Sequence, residues 1–213
     1  MNSRQADAYY QSLEMSSLVE TEQHHEFRDG LHGFKMDFEA VAPFGSKYFD
    51  DGVELMADYI ADEHNYPRLP SVLIGVANGA NQLAMSVAEE LGPEVKGIQT
   101  SKAINDRSRL QLPVFNERQL IRAHPMFALV LDDVGTSGSS TAQVANLCSE
   151  LKIPQVEALY LIQRSAKLRH LGEIGIKFQA VIYKPMDNFT AEECQQSGPC
   201  SEPIELVRHP NRN

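Results

Sequence analysis

The sequence predicts an α/β domain with a mainly parallel sheet flanked by helices. Three observations carry this reading. Short aliphatic and β-branched runs recur along the chain, helical apolar spacing falls between them, and strand and helix alternate. With 213 residues, the chain is long enough for one domain with a sizeable core.

Residues 4–20 read as a helix. The stretch 24–42 is mixed, with Gly30 and Gly33 as breakers and 38–41 (Phe-Glu-Ala-Val) as a possible strand. A helix follows Ser46, because Phe49, Val53, Met56 and Ile60 share one face. Pro67 and Pro70 end it. Residues 71–76 form a buried strand, with a turn at Ala77-Asn78-Gly79-Ala80. Leu83, Val87 and Leu91 define the next helix, and Gly92-Pro93 stops it. Residues 95–100 read as another strand. The segment 101–125 is polar, basic in places and without a clean period. Such a segment is either a functional lid or an unrecognised hairpin. The run 127–131 is the clearest strand. After it come a small-residue turn, a helix bearing Val144, Leu147 and Leu151, and strands at 156–162 and 178–183.

Composition narrows the function. Apolar residues make up 42% and charged residues 23%, and the formal net charge is −10. That acidity argues against nonspecific binding to nucleic acid or anionic membranes. It permits a phosphorylated small molecule, since a nest of backbone N–H groups can bind an anion locally. No apolar run is long enough to span a bilayer, and the N-terminus lacks a signal-type stretch, so a cytoplasmic location is expected. Cys148, Cys194 and Cys200 read as free thiols. The spacing of Cys194 and Cys200 matches no standard zinc pattern, so no directly protein-ligated metal is expected.

The chemistry concentrates after the strand at 127–131. Asp132 and Asp133 lead into Val134, Gly135, Thr136, Ser137, Gly138, Ser139 and Ser140, and a helix begins there. In an open parallel sheet, ligands bind beyond the carboxyl ends of strands. Two carboxylates at that edge suit the vicinal hydroxyls of a ribose, or Mg²⁺ reached through water. The small residues let N–H groups converge on a phosphate, and the helix start adds its positive end. Together these parts describe a ribose-5-phosphate site. Rival loops fit worse. A Walker loop needs a Lys, a dinucleotide fingerprint lacks two leading acids, and a phosphotransfer aspartate needs a second Asp two residues on. A plain turn with a solvated Asp pair is the bland alternative.

The run 129–141 resembles the phosphoribosyl-pyrophosphate signature of type I phosphoribosyltransferases. In that family the acids contact the ribose hydroxyls and the Thr-x-Gly loop holds the 5′-phosphate. Residues 25–32 (His-Glu-Phe-Arg-Asp-Gly-Leu-His) are similar to an early stretch of orotate phosphoribosyltransferases. Ala77, Asn78, Gly79 and Ala80 look like their pyrophosphate loop. Gln163-Arg164-Ser165 stands where orotate enzymes carry Asp-Arg, and 189–194 resembles a Glu-Cys tail of some members.

The resemblance implies a small N-terminal hood over about 1–45, a core over about 46–190 and a tail over 191–213 in one domain. It implies transfer of ribose 5-phosphate from phosphoribosyl pyrophosphate to a nucleobase, orotate by preference. Mg²⁺ is held mainly through substrate and water. It names Asp133, Lys102 and Arg107 as candidate catalytic groups, with Arg109 beside them in the lid. It assigns the base to Arg164 and His32, and it implies a homodimer. Three departures stand out: Gln163 before Arg164, Ala80 in the pyrophosphate loop, and a lid at 101–107 without the Lys-rich run. A non-catalytic regulator that binds phosphoribosyl pyrophosphate or a nucleotide is the second reading. A phosphoacceptor domain using Asp132 or Asp133 is the third.

Overall fold

A computed structural model describes residues 3–16, 18–19, 23–26, 32–77, 79–103, 106, 109–165, 168–202 and 205–207. In chain order the elements are α1 (Ser3–Met15), β1 (Gln23–Glu26), β2 (His32–Gly33), α2 (Phe38–Val41), α3 (Lys47–Ala61), β3 (Val72–Gly75), α4 (Gly79–Leu91) and β4 (Lys96–Gln99). Then come β5 (Ser101–Lys102), β6 (Leu110–Gln111), α5 (Val114–Ala123), β7 (Phe127–Gly135), α6 (Ser139–Glu150), β8 (Gln155–Gln163), α7 (Arg169–Glu173) and β9 (Lys177–Tyr183). The chain continues through α8 (Ala191–Ser197), a 3₁₀ turn (Pro199–Ser201) and β10 (Glu205–Val207).

The central sheet is parallel throughout, in the order β4-β3-β7-β8-β9. Period-two alternation sends its side chains to two layers. Leu73, Leu129, Leu131, Leu159 and Leu161 pack with Met56, Ile60, Leu83 and Val87 of α3 and α4. Val72, Ile74, Ala128, Val130 and Ala158 pack with Leu120, Val144, Cys148 and Leu171 on the other face. The strand order reverses between β3 and β7: from β3 the chain moves to one side, and from β7 to the other. Their carboxyl ends are neighbours, with Gly75 opposite Leu131. This is the switch point at which open α/β sheets bind ligands.

Local chemistry explains the helix starts. The Ser46 hydroxyl accepts the Phe49 N–H at 3.2 Å and begins α3, whose Phe49, Val53, Met56 and Ile60 are buried. At 38–41 the structure corrects the expected strand, because these residues form a helical turn. Asp37 caps it by accepting the Ala40 N–H at 3.1 Å. A local side-chain cap outweighs the strand preference of Phe and Val here.

The segment 101–125 resolves into a hairpin and a helix. β5 and β6 pair antiparallel, with Lys102 opposite Leu110. The α5 helix carries a weak apolar stripe, since Leu120 is buried while Val114 and Ile121 are exposed, so periodicity does not reveal it. The strand expected to end at Leu131 continues to Gly135, paired with Gln163.

Hood and tail form one unit. β1 lies between β10, which runs parallel to it, and β2, which runs antiparallel. The backbones of His32 and Phe189 exchange two hydrogen bonds, at 2.7 and 2.8 Å. Among the described residues, no helix is long and apolar enough to cross a membrane.

The β3–α4 corner depends on close backbone approach. A Cβ on Gly75 would stand 2.5 Å from both the Ala80 carbonyl oxygen and the Asn81 Cα. Backbone cannot yield as a flexible side chain can. Gly75→Ala is therefore expected to lower unfolding stability by about 1–3 kcal/mol, the usual cost of overpacking. An unchanged urea midpoint would contradict this account of the corner.

Candidate active site at the carboxyl edge of the sheet

Two loops meet at the switch point. The first follows β3. Thr100 shapes it, donating its hydroxyl to the Gly75 carbonyl at 2.7 Å and accepting the Ala77 N–H at 2.9 Å. Asn81 clasps the Thr100 backbone from the other side, with bonds of 2.8 and 2.9 Å. Ala77 is thereby held at φ +32°, a conformation L residues seldom adopt. This corrects one expectation, because the Ala77 amide is engaged by the chain rather than open to pyrophosphate. Asn78 lies outside the described residues. Gly79 and Ala80 open α4, where the first-turn amides and the helix dipole favour an anion.

The second loop follows β7. Asp132, Asp133 and Val134 are half-buried at the end of the strand, and Gly135 is buried. The Tyr160 hydroxyl donates to Thr141 Oγ1 at 2.7 Å, and Thr141 donates in turn to Asp132 Oδ2 at 3.0 Å. The other Asp132 oxygen accepts the Asp133 N–H at 3.2 Å. Asp133 Oδ1 accepts the Val134 N–H at 2.7 Å. Its Oδ2 faces the first loop, 3.5 Å from the point a Cβ on Gly79 would occupy. A Glu39 oxygen lies 3.6 Å from the same point.

Three carboxylates thus gather at one edge. Burial raises the Asp132 carboxyl well above its ordinary pKa, and the neighbouring Asp133 charge adds to this against the Thr141 hydrogen bond. Burial also raises Asp133, and Glu39 contributes in the same direction. Groups driven toward neutrality by their surroundings gain most from a ligand rich in hydroxyls or a divalent cation.

Thr136, Ser137 and Ser139 are partly exposed and Ser140 is exposed. Gly138 is the N-cap of α6 at φ +75°, and no side chain caps the helix through it. Leu171 and Leu168 pack where its Cβ would be, at 3.1 and 3.4 Å. Glycine satisfies both the left-handed backbone and the tight contact. The helix start, ringed by small hydroxyl residues, is a ready anion site.

The remaining candidates are less uniform. Lys102 is exposed on the β5–β6 hairpin, which Gln143 of α6 fastens by accepting the Leu110 N–H at 2.9 Å. The hairpin therefore stands beside the start of α6. Arg107 lies outside the described residues. The Arg109 amide donates to the Asp106 carbonyl at 3.0 Å. Arg164 follows β8 at the same edge but is only 1% exposed. Its guanidinium donates to the Phe34 carbonyl and, at 2.9 Å, to Asn188 Oδ1. Burial lowers its pKa to about 10. His32 points toward the tail, where its Nδ1 is 3.2 Å from Cys200 Sγ. Neither side chain is presented as an open base contact.

Sequence reasoning missed Glu39, Thr100, Thr141 and Tyr160. Only Thr141 lay within the recognised motif; the others reach the edge through tertiary packing.

No family model matches the sequence, and no curated protein aligns with it. Solved structures do resemble it. Orotate phosphoribosyltransferase from Aeropyrum pernix superposes with a TM-score of 0.60 at 19% identity, over 82% of this chain and 93% of that one. Adenine phosphoribosyltransferase from Saccharomyces cerevisiae also gives 0.60, at 15% identity, over 82% and 99%. The Mycobacterium tuberculosis orotate phosphoribosyltransferase, solved with 5-phospho-α-D-ribosyl 1-diphosphate, gives 0.54 at 14% identity, over 86% and 90%. The chain has the type I phosphoribosyltransferase fold. Orotate and adenine enzymes match it equally well.

The acid pair generates a signed prediction. A carboxyl whose pKa is raised by folding adds stability that is complete below its unfolded value of 3.8. That stability is lost as pH climbs through the raised folded value. At pH 7 both aspartates therefore destabilise the ligand-free protein. Asp132→Asn and Asp133→Asn should each raise the ligand-free Tm at pH 7, with the gain vanishing toward pH 3.8. Thermal melts across pH check this, and a fall in Tm at pH 7 would refute it.

Proposed function

We propose that this protein binds phosphoribosyl pyrophosphate and transfers its ribose 5-phosphate to a nucleobase, releasing pyrophosphate. One observation carries the reading. An acid pair, a left-handed glycine and an uncapped helix start adjoin a second helix start across the switch point of a parallel sheet.

In this reading Asp132 and Asp133 accept hydrogen bonds from the ribose hydroxyls. Thr136, Ser137, Gly138, Ser139 and Ser140 enclose the 5′-phosphate. Gly79 and Ala80 bind pyrophosphate at the start of α4, and Asn78 completes that loop. The reaction breaks the C1–O bond to pyrophosphate and forms a C1–N bond to the base, through a cationic sugar. Fixed carboxylates near that sugar stabilise its charge, while the lid cations Lys102, Arg107 and Arg109 balance the departing polyanion.

The carboxylates of Asp132, Asp133 and Glu39 are hard oxygen donors at an electron-rich edge, which fits a hydrated divalent ion held through water. Mg²⁺ bound there with substrate would neutralise pyrophosphate as it leaves. A homodimer, which the resemblance implies, and a cytoplasmic location, expected from the sequence, complete the reading.

Orotate is the first acceptor to try, because Arg164 could grip its carboxylate as a fork. A second reading gains support from the same residue. Because Arg164 is already engaged by Phe34 and Asn188, and the Ala77 amide by Thr100, a binding protein without turnover also fits.

Pyrophosphate release, measured with Mg²⁺ and a panel containing orotate, adenine, guanine and uracil, separates the two. Turnover with one base establishes the transferase. Calorimetric binding of phosphoribosyl pyrophosphate without release from any base establishes the sensor. Failure to bind it at all overturns both.

Asp133→Asn should weaken binding of phosphoribosyl pyrophosphate at least about ten-fold, since a hydrogen bond to a charged group is worth about 1.5–3 kcal/mol. Unchanged affinity by calorimetry would remove Asp133 from the site. Arg164→Lys distinguishes a structural role from base recognition. A structural Arg164 predicts a lower Tm and an equal loss of kcat/KM for every active base. Selective loss with a carboxylated base would instead assign it to recognition.

A further inference from the structure

The hood and tail bring together side chains that the transferase reading does not use. His24 on β1, His32 on β2, Cys194 on α8 and Cys200 in the 3₁₀ turn converge on one point. Each offers one nitrogen or sulfur atom, and all four atoms lie within 4.8 Å of one another. His24 Nε2 is 3.0 Å from Cys200 Sγ, and His32 Nδ1 is 3.2 Å from the same sulfur. The two imidazole rings are tilted, with centroids 6.0 Å apart. His24, His32 and Cys194 are buried and Cys200 is partly so.

We propose that these four residues form a structural zinc site of the two-histidine, two-cysteine type. Tetrahedral zinc has Zn–S bonds of about 2.3 Å and Zn–N bonds of about 2.0–2.1 Å, so its ligand atoms stand roughly 3.3–3.8 Å apart. The observed nitrogen–sulfur separations, 3.0 and 3.2 Å, are shorter than that range by a few tenths of an ångström. Binding the ion would lengthen these contacts, a change of the size that side-chain rotation supplies. Four protein ligands leave no open position, which suits a structural ion rather than a catalytic one. The Cys200 N–H also points at Cys194 Sγ at 3.2 Å. A backbone donor to a sulfur orients it as a ligand.

The location explains why an ion is useful. β1, β2 and β10 have four, two and three residues. Strands this short make a sheet that is marginal without further support. Small modules of this kind are commonly stapled by a metal. Here the ion would join elements about 170 residues apart, since His24 and Cys200 are separated by 176 positions. Closing so long a loop constrains the unfolded chain strongly. The site also borders the ligand edge: the His32 backbone pairs with Phe189, and Phe34, two residues on, receives Arg164. The expectation of no protein-ligated metal considered the cysteine spacing alone. The fold supplies the two histidines it lacked.

The proposal does not depend on the transferase reading. Its test uses the full chain purified under reducing conditions without chelator from zinc-supplemented medium. Elemental analysis is expected to find a single zinc ion per chain. A strong chelator should remove it, lower the Tm by several degrees and expose two additional thiols to a disulfide reagent, Cys148 remaining buried. Reconstitution with Co²⁺ should give the intense visible bands of tetrahedral cobalt and a thiolate charge-transfer band. His24→Gln and Cys200→Ser should each abolish stoichiometric zinc. Should these variants fail to fold, the cobalt spectrum and thiol count of the unaltered protein decide. Zinc far below one equivalent after reconstitution overturns the proposal. Recovery of Cys194 and Cys200 joined as a disulfide under these conditions does so too, as does a cobalt spectrum without thiolate bands.

Discussion

The arrangement depends on a cluster of negative charge kept short of water. Asp132 and Asp133 lie at the end of a central strand, where burial opposes the ionisation of both, and the Asp133 charge adds to this at Asp132 and Glu39 at Asp133. Thr141, Tyr160 and two backbone amides steady their oxygens without supplying a positive charge. An apolar substitution would be simpler for folding alone. A fold that retains such a pair accepts a local cost in the ligand-free state, and a polyhydroxylated ligand or hydrated cation can reverse it. Each neighbouring feature is consistent with that reversal, including the glycine cap, the two helix starts and the hairpin fastened to α6.

Parallel pairing makes the convergence possible. Because β3 and β7 run side by side in the same direction, their following loops emerge at the same edge, and each leads directly into a helix N-terminus. Two anion-favouring ends then flank the acids. The proposed substrate, a sugar carrying a phosphate at one position and a diphosphate at another, draws on this alternation of positive helix ends on either side of a negative centre. The geometry requires no unusual side chain, so the same fold can serve acceptors as different as orotate and adenine in its structural neighbours.

The hood provides a contrast. Apart from Glu39, the hood side chains described here meet other parts of the chain instead of a ligand edge. Arg164 holds the Phe34 carbonyl and Asn188, and the histidines face the cysteines. These contacts tie the first forty residues to the tail and to the end of β8. Arg164 and His32 stand close to the ligand edge in sequence terms, yet their side chains serve that tie.

The amino-acid sequence by itself determined the parallel α/β core, because strand and helix periods are local properties that buried runs such as 72–75 and 127–131 display openly. It also marked the loop after β7 as the candidate site, because its acids, glycine and hydroxyl residues are contiguous. Tertiary structure decided what contiguity cannot encode. It turned 38–41 into a capped helical turn, found a helix in 114–123 despite its faint stripe, and delivered Glu39 and Thr100 to the first loop. It also joined His24 and His32 to Cys194 and Cys200 across most of the chain length. Such meetings follow from which faces pack and which strand edges pair, and these are settled by the whole chain's burial rather than by any short stretch of it.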